Sequence, residues 1–263
     1  QATDELLRVD SGGASSRAGS LALIAPSIAS SGPIAAGADI DLVLGSNVVD
    51  YANNGVIGST RTAKLIDANL LGAMTTDKRI RIVSSEEGAG IRMPGVRLTA
   101  GQGIRIESAG DLNLHAPARA GKPQAPAELN GGAGDIHLAA GRQLNLGAAR
   151  LASDADVRLI ADSVRSQGAD IDSGGLLKVD ATSMVNTGSS RLQGGTVSLD
   201  VSGKLADTGT DYTSTLGKIV IHADSHDMKA AMHKVQAGAA TTSTPTVGSL
   251  SAAEGIDIRL TGS

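Results

Sequence analysis

The chain has no cysteine, no phenylalanine and no tryptophan, and only two tyrosines, Tyr51 and Tyr212, in 263 residues. Zero cysteines exclude a disulfide framework and a thiolate metal site. Without aromatics a broad globular core lacks its usual bulk, and single-stranded nucleic acid lacks stacking platforms. An excess of positive charge is also missing. Lys and Arg number 23 against 27 Asp and Glu, a formal net charge of -4, with both signs interspersed, so no nucleic-acid partner is expected. No apolar run approaches the ~20 residues of a membrane span. No secretory signal opens the chain, so Gln1 is expected to follow a preceding segment.

What the chain does have is glycine, 34 of them, and a repeated short apolar step. From Gly134 the pattern Ile136-His137-Leu138 returns as Val157-Arg158-Leu159, Leu177-Lys178-Val179, Val197-Ser198-Leu199 and Ile219-Val220-Ile221, at intervals of 21, 20, 20 and 22 residues. Two further tracks keep the same period: Leu144, Val164, Val185 and Leu205, and Leu151, Ile171, Leu192 and Tyr212. Turn-forming clusters such as Ser173-Gly174-Gly175 and Asn186-Thr187-Gly188 separate them. Three short strands per unit of about 20 residues, with no helical periodicity, predict one coil of a β-solenoid, each strand stacking on its equivalent in the next coil. At that period the chain would make roughly 13 coils and a rod of about 60 Å. Its core would be a thin axial column of Val, Ile, Leu and Ala.

Residues 1–114 carry the same strand chemistry at looser spacing: Leu21-Ala22-Leu23-Ile24, Ile40-Asp41-Leu42-Val43-Leu44, Ile80-Arg81-Ile82-Val83, Ile104-Arg105-Ile106 and Leu112-Asn113-Leu114. The irregular spacing implies insertions. The largest runs from Tyr51 to Ala73, with Asn53-Asn54-Gly55 as a turn inside it.

Three blocks in this part carry a resemblance. Gly19-Ser20-Leu21-Ala22-Leu23-Ile24-Ala25-Pro26, then Gly45-Ser46-Asn47-Val48-Val49-Asp50-Tyr51-Ala52, then Gly72-Ala73-Met74 running on to Arg79-Ile80-Arg81-Ile82-Val83-Ser84-Ser85-Glu86-Glu87-Gly88-Ala89-Gly90-Ile91-Arg92 resemble, in that order, the back half of the secretion domain of two-partner secretion exoproteins. These are the filamentous haemagglutinin and contact-dependent inhibition proteins of Gram-negative bacteria. The resemblance covers roughly residues 15–95, and the family's Asn-Pro motifs, which lie earlier in that domain, are not in this chain. Residues 134–221 and the closing segment Gly255-Ile256-Asp257-Ile258-Arg259-Leu260 look like the haemagglutinin-type repeats that follow.

The resemblance implies a right-handed parallel β-helix. Residues 1–95 would be the end of the secretion-domain-like part, and 96–263 continuous haemagglutinin-type repeats. Within them the Pro- and Ala-rich stretch near 115–133, which no ladder strand tolerates, predicts an excursion loop between coils, with a linker between domains as the alternative, and the break in period near 224–246 predicts a second loop. It also implies export through an outer-membrane two-partner secretion transporter, a location outside the cell or on its surface, and a cell-surface receptor or glycan as a partner. With neither end carrying a capping coil, the chain is expected to be a segment of a longer filament.

Candidate chemistry is sparse. His222, His226 and His233 with Asp224 and Asp227 form the one cluster of potential metal ligands, and residues 226–235 could form a short helix with Met228, Met232 and Val235 on its apolar side. No HExxH or comparable spacing is present, so a solvated loop is the better account. Gly131-Gly132-Ala133-Gly134-Asp135-Ile136 is one residue short of the calcium nonapeptide and occurs once, which fits an ordinary turn. Gly101-Gln102-Gly103 is too short for a dinucleotide fingerprint. Glu86 and Glu87 are neighbours, which on a strand point to opposite faces.

Arg79, Arg81, Arg92, Arg97 and Arg105 would form a basic stripe if their strands align, although outward solvated positions between inward apolar ones account for them better. An acidic or sulfated glycan is the partner such a stripe would take. The resemblance thus implies a structural or adhesive segment, and the residues add no catalytic residues, no metal and no cofactor. The rival is a β-helical polysaccharide lyase or hydrolase.

Overall fold

Alternation of inward apolar and outward polar residues decides how this chain folds. In strands such as Ile80–Ser84, Ile104–Ser108 and Ile136–Ala140 the first, third and fifth residues are buried and those between are exposed or half-buried. A period of two places these on opposite faces. With side chains too small to fill a wide sheet sandwich, the buried faces meet around a narrow axis. The computed structural model describes residues 6–9, 12–25, 27–30, 33–44, 48–50, 57–58, 73–84, 90–115, 125–229, 231–237 and 240–262. In these the protein is a β-solenoid built of parallel strands, with no helix.

Three stacks of strands make up the rod. Stack I contains Leu21–Ala25, Ile40–Leu44, Ile80–Ser84, Ile104–Ser108 and Ile136–Ala140. It continues through 157–161, 177–181, 197–201 and 218–223 to Gly255–Leu260. Stack II runs from Val48–Asp50 through Gly90–Arg92, Leu112–Asn113 and Gln143–Gly147. It goes on through 163–167, 183–187 and 204–208 to 225–229. Stack III begins with Ala14–Ser16, Ile34–Ala36, Ala73–Thr76, Arg97–Ala100, Glu128–Asn130 and Arg150–Ser153. It closes with 170–173, 191–194, Asp211–Ser214 and Ser249–Ala252.

Stack I thus holds ten strands, against the roughly 13 coils that uniform spacing predicts. The difference is chain spent between rungs, chiefly between Asp50 and Ala73, between His115 and Glu128, and between Lys229 and Ser249.

The regular tracks occupy the axis. Ile136, Val157, Leu177, Val197 and Ile219 are fully buried, as are Leu151, Ile171, Leu192 and Tyr212. One track differs from expectation. Val164 pairs with Met184, and Met184 with Leu205. Met184 is therefore the inward residue, while Val185 is exposed. The ladder shifts register between Ala181 and Met184, adding a residue on the facing strand, and the even period cannot report that slip.

At the corner from stack II to stack III four successive turns place a glycine in the left-handed region: Gly147, Gly168, Gly188 and Gly209, at φ of 54, 76, 70 and 66. An L-residue with a side chain pays a steric penalty there.

Two predicted loops are shorter than expected. Within 115–133, Glu128–Asn130 is a rung of stack III. Within 224–246, residues 225–229 continue stack II, and the excursion is an antiparallel hairpin of Ala231–Ala237 with Ala240–Thr246. Neither the short helix that 226–235 could form nor a solvated loop describes residues 226–229, which are strand. Residue 226 faces the core as the ladder successor of Leu205, and that partner holds the segment extended. The turn at Asn53-Asn54-Gly55 and the Glu86-Glu87 pair lie outside the described residues.

Candidate ligand-binding face

Outward positions of stack I bring charge together. Arg81 pairs in register with Arg105, Arg105 with His137, His137 with Arg158, and Arg158 with Lys178. Five successive rungs therefore present a basic or imidazole side chain at one position, about 4.8 Å apart. Of the arginines singled out in the sequence, only Arg81 and Arg105 share this column. Arg79 lies two residues before Arg81, and its Nε is 3.9 Å from Asp39. Arg92 sits on stack II, and Arg97 on stack III, where it meets Glu128 at 2.7 Å. The sequence reasoning missed Arg158 and Lys178. Both stand in the same middle position of the apolar-x-apolar step, which was the signal available.

Carboxylates flank the column. Arg105 meets Glu107 at 2.5 Å, Arg158 meets Asp156 at 2.9 Å, Lys178 meets Asp180 at 3.1 Å and Arg81 meets Asp41 at 3.9 Å. The Arg105 guanidinium holds Glu107 below the usual carboxylate range. The Leu176 amide, and then Arg158, do the same for Asp156. Burial, and then the positive charge of Arg105, push His137 below the usual imidazole range, which favours its neutral form at neutral pH.

Beside the column lies an open concavity of about 490 Å³, lined by Arg79, Arg81, Arg105, Asp135, His137 and Arg158 among others. Gly103 is part of its lining and stands between Arg79 and Asp135 along the rod axis. There φ is +112 and a Cβ would come within 2.7 Å of the Asp135 carbonyl oxygen. The backbone itself therefore keeps this point free of a side chain.

Inside the rod is a second concentration of polar groups. Ser166, Asn186 and Asp207 succeed one another in stack II, and all three are buried. Ser166 Oγ donates to Asn186 Oδ1 at 2.7 Å, and Ser190 Oγ lies 2.8 Å from Ser166 Oγ. Asn186 Nδ2 donates to Asp207 Oδ1 at 2.7 Å and to the Tyr212 hydroxyl at 2.8 Å. Tyr212 in turn donates to Asp207 Oδ1 at 2.7 Å, while His226 Nε2 lies 2.6 Å from Asp207 Oδ2. Burial, and then the Asp207 charge, push the Tyr212 phenol well above its usual range. The cluster is closed to solvent, with side-chain exposures of 7% for His226 and 0% for Asp207. This suits it to holding rungs together rather than to turning over a substrate.

The histidine and aspartate candidates are thereby dispersed. His226 faces the core, whereas His222 faces outward on stack I between Asp200 and Arg259, its Nε2 buried without a hydrogen-bond partner. Asp227 pairs with Lys229 at 3.0 Å and Lys204 at 3.6 Å, and Asp224 lends its backbone carbonyl to Gly262. The backbone of His233 pairs with Thr244 in the hairpin. Among the described residues no group of three or more His, Asp or Glu is placed to hold a metal ion. Gly131 to Gly134 form a turn, closed by the Gly134 amide on the Gly131 carbonyl at 3.2 Å and leading into Ile136–Ala140. Gln102 bridges to Gly132, with no helix after it.

Compared with family models, with curated proteins and with solved structures, the chain matches none. Among the described residues no helix is long and apolar enough to cross a membrane.

Proposed function

We propose that the chain is a structural and adhesive segment of a large secreted or surface-exposed bacterial exoprotein, and that it catalyses no reaction. The observation that supports this most is the ladder itself. Stack I runs through ten strands on an axial column of apolar side chains, while its outward positions are largely polar or charged. Such a rod sets the distance between whatever lies at its two ends and presents a long side face.

The energetics suit a chain exported unfolded. Ordering about 20 residues costs roughly 20 to 40 kcal/mol of backbone entropy. The few apolar side chains of one coil return about 1.5 to 3 kcal/mol each. One coil alone therefore does not fold, and growth proceeds by addition to an existing edge. An outer-membrane two-partner secretion transporter would feed such growth from one end. The sequence blocks between residues 15 and 95 that resemble the secretion domain point the same way.

The experiment joins adherence to turnover. Beads coated with the chain are expected to bind bacterial or host cell surfaces, and a panel of polysaccharides incubated with it is expected to keep its chain length. Depolymerisation of any of them would replace this reading with that of a β-helical lyase or hydrolase. Beads that bind no surface would reduce the segment to a passive spacer.

A further inference from the structure

The cation column on stack I is arranged in a way that stability does not require. Like charges stacked in neighbouring rungs repel, yet Arg81, Arg105, Arg158 and Lys178 share one column with only His137 among them. Of their acidic partners, Asp41 continues the column one rung below Arg81, and the others stand to the sides. Glu107 and Asp180 lie two residues after the cation they meet, and Asp156 lies two residues before. From Arg81 to Lys178 the middle line therefore carries no carboxylate, Asp41 closes it at one end, and carboxylates stand among the residues along its edges. The cations remain open to solvent, at side-chain exposures of 48% for Arg81, 56% for Arg105 and 48% for Arg158. Ion pairs this exposed contribute little to stability, so a guanidinium can exchange its carboxylate for a ligand's acid group at small cost.

The shape of the face narrows the ligand. A single file of cations one rung apart fits a polymer that repeats its own acid groups along a line. The flanking carboxylates accept hydrogen bonds and repel bare anions, so the polymer must also carry donors on either side of its acid groups. Sugar hydroxyls supply these, whereas a polyphosphate has none. Nucleic acid is disfavoured by the same acidic edges and by the lack of stacking side chains. The concavity over Gly103 gives one ring room to sit down against the backbone.

We propose that this face binds a linear acidic polysaccharide laid along the rod axis. Its acid groups sit on Arg81, Arg105 and Arg158, one sugar ring sits over Gly103, and Asp39 and Asp135 accept hydrogen bonds from its hydroxyls. Arg forms paired, charge-assisted hydrogen bonds with carboxylate or sulfate alike, so the shared chemistry is one anionic oxygen pair per rung or per few rungs. This inference rests on reading the rod as adhesive.

Calorimetric titration of the full 263-residue chain with polygalacturonate, dextran sulfate and neutral dextran tests it. At least one of the two acidic polymers is expected to bind, more weakly as salt is raised, and neutral dextran is not. Preference for polygalacturonate assigns the acid group as carboxylate, and preference for dextran sulfate as sulfate. Arg105→Ala with Arg158→Ala is expected to weaken binding by about tenfold or more, while Arg150→Ala with Arg191→Ala, on stack III, leaves it unchanged. Both pairs are exposed, and circular dichroism checks that each variant keeps the parent fold. Binding of neither polymer, or an equal loss in both double variants, overturns the site. Coated beads that still adhere to cells in that case would leave the adhesive reading standing. A polymer that binds but is shortened would instead defeat the non-enzymatic reading and leave the site in place.

Discussion

Replacing His226 by Leu tests whether the buried polar cluster holds the late rungs together. In the ladder His226 follows Leu205, which follows Met184, Val164 and Leu144. A leucine there would continue an apolar column, and shape alone predicts that it would be tolerated. Electrostatics predicts the opposite. Asp207 is 1% exposed and its Oδ2 has His226 Nε2 at 2.6 Å. Removing the imidazole leaves a buried carboxylate short of one partner, and a buried acceptor left unsatisfied in this way costs about 1–3 kcal/mol. Asp207→Asn in the His226→Leu background removes the charge and keeps an oxygen for Tyr212 and Asn186. The double variant is therefore expected to be more stable than His226→Leu alone, by a coupling of about 1–3 kcal/mol. Because rung stability in a solenoid is a nearest-neighbour sum, one global melt would blur the effect. Amide hydrogen exchange separates it: protection near Leu205 and Tyr212 should fall while that near Leu138 and Leu144 is kept. A His226→Leu variant as protected as the parent, or a double variant no better than the single, would refute the argument.

Two more outcomes follow from the same geometry. Leu177→Asp places an unpaired charge at a fully buried position and is expected to cost about 3–5 kcal/mol, whereas Lys178→Asp, which loses only its pair with Asp180, should cost about 0–1 kcal/mol. Equal losses in a denaturant titration would mean that the inward register is wrong. Tyr212 has its folded pKa raised above the ordinary 10.0 by burial and Asp207. Its contribution is thus fully present below pH 10 and is lost as pH rises above that, by about 1.4 kcal/mol per unit. Tyr212→Phe should be less stable than the parent at neutral pH, yet lose stability less steeply above pH 10. Parallel alkaline curves would refute the link.

How much of this was legible in the sequence depended on whether a residue's partners keep the period. Leu151, Ile171, Leu192 and Tyr212 recur without a slip, and all are buried. The track through Val185 failed because the ladder shifts by one residue before Met184, and an insertion of one residue in a strand inverts which side chains face inward. The cation column was half visible. Arg81 and Arg105 share a register, but Arg92 and Arg97 belong to other stacks, and nothing in a linear spacing says which stack a strand joins when the intervening chain is long. The Asp207 cluster was invisible for a different reason. Its members span Ser166 to His226 and meet only because successive coils superimpose. His226 in isolation looks like a loop residue beside Asp224 and Asp227.

The last rung shows why burial in this fold cannot be assigned strand by strand. Ile256 and Ile258 repeat, in register, the positions of Ile219 and Ile221. Ile219 and Ile221 are fully buried, yet Ile256 is 46% and Ile258 41% exposed. The residue types and the positions in the stack are the same, so the difference comes from the far side of the rung. An inner rung has a coil above and below it, whereas Gly255–Leu260 is paired on one side only among the described strands. Each apolar residue is thus buried jointly by two neighbours, and covering one rung adds contacts to every inward side chain of that rung at once. The same coupling separates the two kinds of chemistry in the chain. Inward changes are felt in the adjoining coils, while an outward column such as Arg81, Arg105 and Arg158 can be altered with the axis left intact.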